Sequence, residues 1–121
     1  MNILELKQGV VDEGVCREVW FALGTMAAVY WQMFGRAMVV TSLKDGEHGA
    51  GSLHPAGRAA DVRARDLTLE QRTAFHEACK KLLLEQGFDL VAEGPPWNER
   101  VPHEHCEFDP KGGREFEVRE K

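Results

Sequence analysis

The feature that most constrains the fold is an uncharged stretch of seventeen residues from Val19 to Gly35. Seventeen residues are at the short limit for spanning a bilayer, and small and polar residues interrupt this stretch. Apolar side chains recur at helical steps of three and four: Val15, Val19, Leu23, Met26, Tyr30 and Phe34. The pattern therefore predicts a helix in the core of a soluble domain, capped by Asp12, running to about Phe34 and stopped by Gly35.

The rest of the chain alternates short apolar runs with turn residues. Thr68 and Gln71 form a capping box, which predicts a helix that runs to Gln86. Its buried stripe is expected to be Phe75, Ala78, Leu82 and Leu83. Strands are expected at 37–41, 58–64, 88–92 and 103–108, with a further edge strand at 114–118. Helices and strands mix without regular alternation, so we expect one α+β domain over residues 1–121, with a mostly antiparallel sheet flanked by helices.

Composition limits the classes of function. The chain has 121 residues, of which 43% are apolar and 29% charged, as expected for one globular domain. A net charge of −5 argues against a nucleic-acid binder. Three irregularly spaced cysteines favour reduced thiols over a disulfide framework. The N-terminal residues lack the pattern of a signal peptide, so we expect synthesis in the cytoplasm and action elsewhere only after release.

Residues 52–61 contain the first group of chemically useful side chains. A zinc hydrolase takes three ligands from histidine and carboxylate residues and leaves one position for water. His54 is expected at a junction between a loop and a strand, and Asp61 on that strand. Gly57 allows the backbone to turn closely, and the small Ala59 leaves room beside Asp61. His54 and Asp61 are therefore candidate metal ligands.

Residues 99–105 contain the second group. His103 and His105 are two apart, so on a strand they face the same side of the sheet. One can bind the metal while its neighbour faces a substrate and donates to an oxyanion. Glu99 precedes them across a bend that contains a proline, and its carboxylate is a candidate base for water. This segment therefore predicts one metal ligand and two catalytic groups.

The first segment resembles the S-x-H-x-x-G-x-A-x-D signature of the D-Ala-D-Ala metallopeptidase family. Every fixed position is filled, by Ser52, His54, Gly57, Ala59 and Asp61. The second resembles the E-x-x-x-H-x-H segment that the hedgehog signalling domain shares with this superfamily, including the cysteine that follows, Cys106. The family also has a short strand ending in T-S, matched by Thr41 and Ser42. The resemblance covers roughly residues 39–108.

The resemblance implies a fold, a cofactor and a function. The fold would be the hedgehog-like α+β domain of this superfamily. Zn²⁺ would be held by His54, Asp61 and His105, with Glu99 as the base and His103 assisting. The protein would be a hydrolase that cuts an amide bond in peptidoglycan stem peptides. It would act as a D-Ala-D-Ala carboxypeptidase or dipeptidase, or as an L-Ala-D-Glu endopeptidase of the phage endolysin kind. No nucleic-acid or membrane partner is expected, and the protein is expected to be a monomer.

One departure leaves other functions open. Many family members have an arginine shortly after T-S that binds the substrate, whereas this chain has Leu43 and Lys44. Lys44 supplies a charge but lacks the fork of a guanidinium group. A zinc-stabilised binding module, as in the hedgehog domain, is the alternative to an enzyme. A metal-free structural domain of a phage particle is a third.

Several side chains also have ordinary structural interpretations. Glu99 beside Arg100 is compatible with a solvated ion pair, and His103 with an orienting or surface histidine. Arg63 fits a strand residue in a salt bridge better than a substrate clamp. His76, on the second predicted helix, is expected at the surface.

Overall fold

The computed structural model describes residues 2–44 and 56–110. They form, in chain order, β1 (Leu4–Leu6), α1 (Arg17–Phe34), β2 (Met38–Ser42), β3 (Ala59–Arg63), α2 (Leu69–Leu83), β4 (Phe88–Glu93) and β5 (His103–Phe108). The strands form one sheet in the order β1-β2-β3-β5-β4. β1 pairs parallel with β2, and the other neighbours pair antiparallel. The described chain is a small single-domain α+β protein, and its mixed sheet is mostly antiparallel, as predicted.

α1 lies at the centre of the core, as its periodicity predicts. Its buried residues are Val19, Ala22, Leu23, Met26, Ala27 and Tyr30. The helix ends at Gly35, whose left-handed backbone places its N–H on the Trp31 carbonyl at 2.8 Å. The predicted start at Asp12 is wrong, because the helix begins at Arg17. Gly14 adopts a positive φ of 83°, which breaks the helical path just before it.

Both helices pack on one face of the sheet. The fully buried strand residues on that face alternate along each strand: Met38, Val40, Ala60, Val62 and Cys106. The capping box at the start of α2 is present, and Phe75, Cys79 and Leu83 are the buried residues of that helix. The predicted stripe was wrong at Leu82, which is half exposed. The buried residues Phe75, Cys79 and Leu83 recur at steps of four and lie on one side of the helix. Leu82 falls outside this series and points away from that side.

The strand predictions differ in accuracy. β5 has the predicted bounds, while β2, β3 and β4 each shift by one residue at one or both ends. The short parallel edge strand β1 was not predicted, because three residues carry no readable alternation. The predicted edge strand at 114–118 lies outside the described residues. Cys16, Cys79 and Cys106 are free thiols, as expected.

The face of the sheet away from the helices carries the polar side chains. Alternation along the strands places Asp61 and Arg63 of β3 on this face, with His103 and His105 of β5 beside them. We call it the polar face. In the part of the chain that the structure describes, no helix is long and apolar enough to cross a membrane.

Candidate metal centre

Two of the three predicted metal ligands meet on the polar face. Asp61 and His105 are directly opposite each other in the β3–β5 ladder. Their side chains approach until Oδ1 of Asp61 lies 2.8 Å from Nδ1 of His105. Both side chains are largely buried, at 16% and 17% exposure. Because they stand on paired central strands, sheet register alone fixes their separation. A carboxylate oxygen and an imidazole nitrogen are donor types that zinc prefers.

A second carboxylate holds the other side of the His105 ring. Nε2 of His105 lies 2.8 Å from Oε1 of Glu107, which is two residues further along β5. Burial lowers the pKa of His105, but hydrogen bonds to Asp61 and Glu107 outweigh it and raise the pKa to about 9. In the metal-free protein the ring therefore carries two protons at neutral pH, one toward each carboxylate. A metal ion bound at Nδ1 would replace the proton that faces Asp61.

His103 lies beside this pair and is also oriented by its neighbours. Its Nδ1–H donates to the Val101 carbonyl at 2.8 Å, since a carbonyl oxygen only accepts. Nε2 then lies 2.7 Å from Oε1 of Glu93 and 3.8 Å from Oδ1 of Asp61. Glu93 is the cross-strand partner of His103 in the β4–β5 ladder. The ring is thus held by Val101 and Glu93, while Asp61 lies beyond hydrogen-bond distance of Nε2, and the assisting role of His103 stays a prediction.

One predicted site residue that the structure describes, Glu99, is not brought into the cluster. His54 and Ser52 lie outside the described residues, so the third ligand stays a prediction. Glu99 is exposed at a bend in the β4–β5 connection. Its carboxylate makes no hydrogen bond or ion pair with any residue that the structure describes. Its role as the base also stays a prediction. The alternative interpretation, an ion pair with Arg100, is not observed, because Arg100 contacts Glu93 at 3.5 Å.

The glycine of the first motif, Gly57, is required by the packing around it. Gly57 has a positive φ of 74°, and a Cβ at this position would stand 2.3 Å from the Gly14 carbonyl oxygen. The Gly57 carbonyl accepts the N–H of Cys16 at 2.8 Å. Gly57 therefore lets the backbone just before β3 pack directly against the turn before α1. Ala59, two residues later, is fully buried opposite Glu107.

The strand that carries the T-S pair lies next to the site. Oγ1–H of Thr41 donates to the backbone carbonyl of Asp61 at 3.3 Å, and Ser42 pairs with Asp61 across an irregular step in the ladder. Lys44 follows, but its Nζ lies against the turn before α1, 3.0 Å from where a Cβ at Gly14 would stand. Lys44 therefore points toward that turn, and the predicted substrate charge at this position gains no support.

The sequence interpretation missed the carboxylates that support the two histidines. Glu93 is reached only through the pairing of β4 with β5, but Glu107 follows His105 by two residues on β5, so the alternation of that strand could have found it. Glu107 also belongs to a cluster with Asp89 and Asp109, whose carboxylate oxygens lie within 4.8 Å of one another. Such half-exposed acidic clusters are common without any ion, so this one by itself indicates no metal site. Asp89 and Asp109 do place negative charge beside Glu107, which holds His105.

His76 is a further correction, on the opposite face of the sheet. Expected at the surface, it instead places Nδ1 2.6 Å from Oε2 of Glu104, whose side chain is 3% exposed. The hydrogen bond to Glu104 raises the pKa of His76 despite burial. Burial raises the pKa of Glu104, and His76 opposes that rise. The contact joins α2 to β5 directly beneath His103 and His105.

In comparisons with known proteins, no family model matches the chain and no curated protein matches it.

Proposed function

We propose that this chain is a zinc peptidase that hydrolyses an amide bond in peptidoglycan stem peptides. The observation that carries the proposal is the convergence of Asp61 Oδ1 and His105 Nδ1 at 2.8 Å on paired central strands. The resemblance of the two segments to the D-Ala-D-Ala metallopeptidases supplies His54 as the third ligand and the substrate class. A fold with a mostly antiparallel sheet and helices on one face is compatible with the hedgehog-like domain.

The donor set that is described fits zinc. Asp61 offers an oxygen and His105 a nitrogen, and Glu107 on the far side of the ring leaves Nδ1 as the atom that faces Asp61. When bound, zinc lowers the pKa of a water molecule toward about 7 and polarises the scissile carbonyl. His54, Asp61 and His105 would hold it.

The remaining chemistry belongs to Glu99 and His103. Glu99 accepts a proton from the attacking water and delivers it to the leaving nitrogen, so that the amide becomes a carboxylate and an amine. His103 is held by the Val101 carbonyl at Nδ1 and by Glu93 at Nε2, and to assist, its Nε2–H would have to turn from Glu93 to the oxyanion that develops on the attacked carbonyl. No covalent bond between chain and substrate is needed.

The test is digestion of purified peptidoglycan with and without a chelator, followed by mass analysis of the products. We expect cleavage that stops with the chelator and returns with Zn²⁺, and the product masses identify the bond. Glu99→Gln should retain zinc and lose about 100-fold or more in rate. Glu85→Gln, at an exposed carboxylate two residues after the end of α2, is the matched control and should retain full rate. Cleavage that survives complete removal of metal contradicts the proposal.

A zinc-stabilised binding module is the second candidate. The observation that favours it is the exposed position of Glu99, whose carboxylate contacts no described residue of the site. A module would hold about one zinc per chain and bind stem peptides without cutting any muropeptide. Glu99→Gln would then leave peptide binding unchanged. The same digestion and a binding titration therefore separate the two functions.

A further inference from the structure

A pocket of about 330 Å³ opens beside the candidate metal centre on the polar face. Asp61 and His103 form one part of its wall. Its other lining residues are Lys7, Thr41, Arg63, Arg65, Val101 and Pro102. The volume lies at the lower end of the range of small-molecule sites, about 300–1,000 Å³. The pocket can therefore receive a small group of a substrate that reaches Asp61 and His103.

Three cationic side chains in the described part of the chain line this pocket, although the net charge of the sequence is −5. Arg63 is the cross-strand partner of His103, Arg65 follows the end of β3, and Lys7 follows β1. None of the three makes a salt bridge with any residue in the described ranges, so the predicted salt bridge of Arg63 is wrong there. Among the described residues that line the pocket, Asp61 is the only acidic one.

We propose that this pocket binds a free carboxylate on the substrate residue that supplies the nitrogen of the scissile amide. The inference rests on the proposed function and names the group that the site recognises. Both bonds considered for the substrate share this group. The leaving residue of D-Ala-D-Ala carries a free α-carboxylate, and so does the D-Glu of an L-Ala-D-Glu bond, because its chain continues through the γ-carboxyl.

The pocket lies close enough to the catalytic groups to bind a carboxylate next to the scissile bond. Arg63 and His103 are directly paired on β3 and β5, so the guanidinium group and the imidazole stand side by side on one face. An α-carboxylate is only two bonds from the scissile nitrogen. An arginine can hold a carboxylate with two parallel N–H bonds, which also fixes its orientation. In the family that the two segments resemble, an arginine after T-S binds the substrate. Lys44 does not do so here, and Arg63 in the pocket would take over that task.

The first experiment measures binding without turnover. The full-length chain, stripped of metal by a chelator, is titrated with acetyl-D-Ala-D-Ala and with its C-terminal amide, followed by amide NMR. A second pair is an L-Ala-γ-D-Glu peptide and its α-carboxamide. We expect at least one free acid to bind about 10-fold or more tightly than its amide, since a charged hydrogen bond is lost. The preferred pair identifies the source of the carboxylate. If metal removal unfolds the chain, the zinc-loaded Glu99→Gln variant is used.

The second experiment assigns the effect to Arg63. Arg63→Gln should weaken binding of the preferred free acid about 10- to 100-fold and leave binding of its amide unchanged. Arg63→Lys should restore part of the loss, because it restores the charge but not the fork. In turnover, the change should appear in KM more than in kcat. Arg17→Gln, at an exposed arginine that begins α1, is the matched control. Arg65→Gln repeats the test if Arg63→Gln does not fold.

The outcomes separate the inference from the proposed function. Equal binding of acids and amides, with no effect of Arg63→Gln or Arg65→Gln, overturns the carboxylate pocket even if the enzyme cuts peptidoglycan. Discrimination between acid and amide that depends on Arg63 supports the pocket even if zinc-loaded protein cuts nothing. In that case the proposed hydrolysis fails and a carboxylate-binding module remains.

Discussion

His105 is held between two carboxylates that have different tasks in the proposed site. Asp61 faces Nδ1 and would share the proposed metal, whereas Glu107 faces Nε2 and fixes the ring. Without Glu107 the ring could rotate or exchange its proton between nitrogens, and Nδ1 would be a less basic ligand. The hydrogen bonds to these two carboxylates also explain why the pKa of His105 is raised in the metal-free protein.

Glu107→Gln is therefore expected to weaken zinc binding about 10- to 100-fold, because an orienting carboxylate is replaced by a neutral amide. Competition with a chromophoric chelator measures the affinity. Nitrogen chemical shifts of His105 should show Nδ1 as the metal-bound atom in the wild type and a mixed tautomer in the variant. Glu85→Gln serves as the control and should match the wild type. An unchanged affinity and unchanged shifts in Glu107→Gln would refute this role of Glu107.

The position of Gly57 does not accept a side chain without a loss of stability. Substitution by alanine must keep a left-handed backbone, which costs about 1–2 kcal/mol, and must relieve the overlap with the Gly14 carbonyl, which adds about 1–3 kcal/mol. We expect Gly57→Ala to lower the free energy of unfolding by about 2–5 kcal/mol, measured by urea titration. Gly24→Ala is the matched control, because a Cβ at Gly24 meets nothing within 4 Å. It should stabilise α1 slightly. Equal stability of the two variants would contradict the packing argument.

The contact between α2 and β5 makes the stability of these elements depend on pH. The pKa of His76 is raised above its ordinary 6.5, so its contribution is complete below that value and is lost as pH rises through the native pKa. The raised pKa of Glu104 acts in the same direction, since the native state again binds the proton more tightly. Both groups therefore favour the folded state at lower pH.

Glu104→Gln tests this coupling, because it keeps a hydrogen-bonding group of similar shape beside His76 and removes the charge. We expect the wild type to lose more stability than Glu104→Gln between about pH 5 and pH 8, measured by urea titration of metal-free protein. His76→Gln should also reduce the slope. Identical pH dependence in all three proteins would mean that His76 and Glu104 are not coupled in solution.

Elements with a long or strict pattern were predictable from sequence, and those defined by contacts were not. The 3.6-residue period and the capping box located α1 and α2, and alternation located β5 with its two histidines. The start of α1 was missed because the turn at Gly14 is set by docking against Gly57. Glu93 was missed because its pairing with His103 across β4 and β5 is not written in the local sequence, whereas the alternation that placed the two histidines on one face could also have found Glu107. Lys7 reaches the pocket only through β1, which has no pattern.

At the scale of the whole molecule, the proposed metal connects parts of the chain that are distant in sequence. Asp61 and His105 are separated by 44 residues, and they join β3 and β5 at the centre of the sheet. The helices cover only the opposite face of that sheet, so the hydrophobic core does not fix the polar face. A divalent ion held by these strands would therefore add stability that burial does not supply.

Zinc should accordingly stabilise the entire domain. A ligand that binds only the folded state at about 100 times its Kd adds about 2.7 kcal/mol, which raises Tm by about 10 °C for a domain of this size. Thermal melts with and without Zn²⁺ measure the shift. Asp61→Asn should abolish it, whereas Asp89→Asn, in the acidic cluster around Glu107, should retain most of it. A shift that depends on Asp89 but not on Asp61 would place the ion in the acidic cluster and contradict the site. Because both variants remove one carboxylate from the same sheet, their difference reports where the ion binds and not the change in net charge.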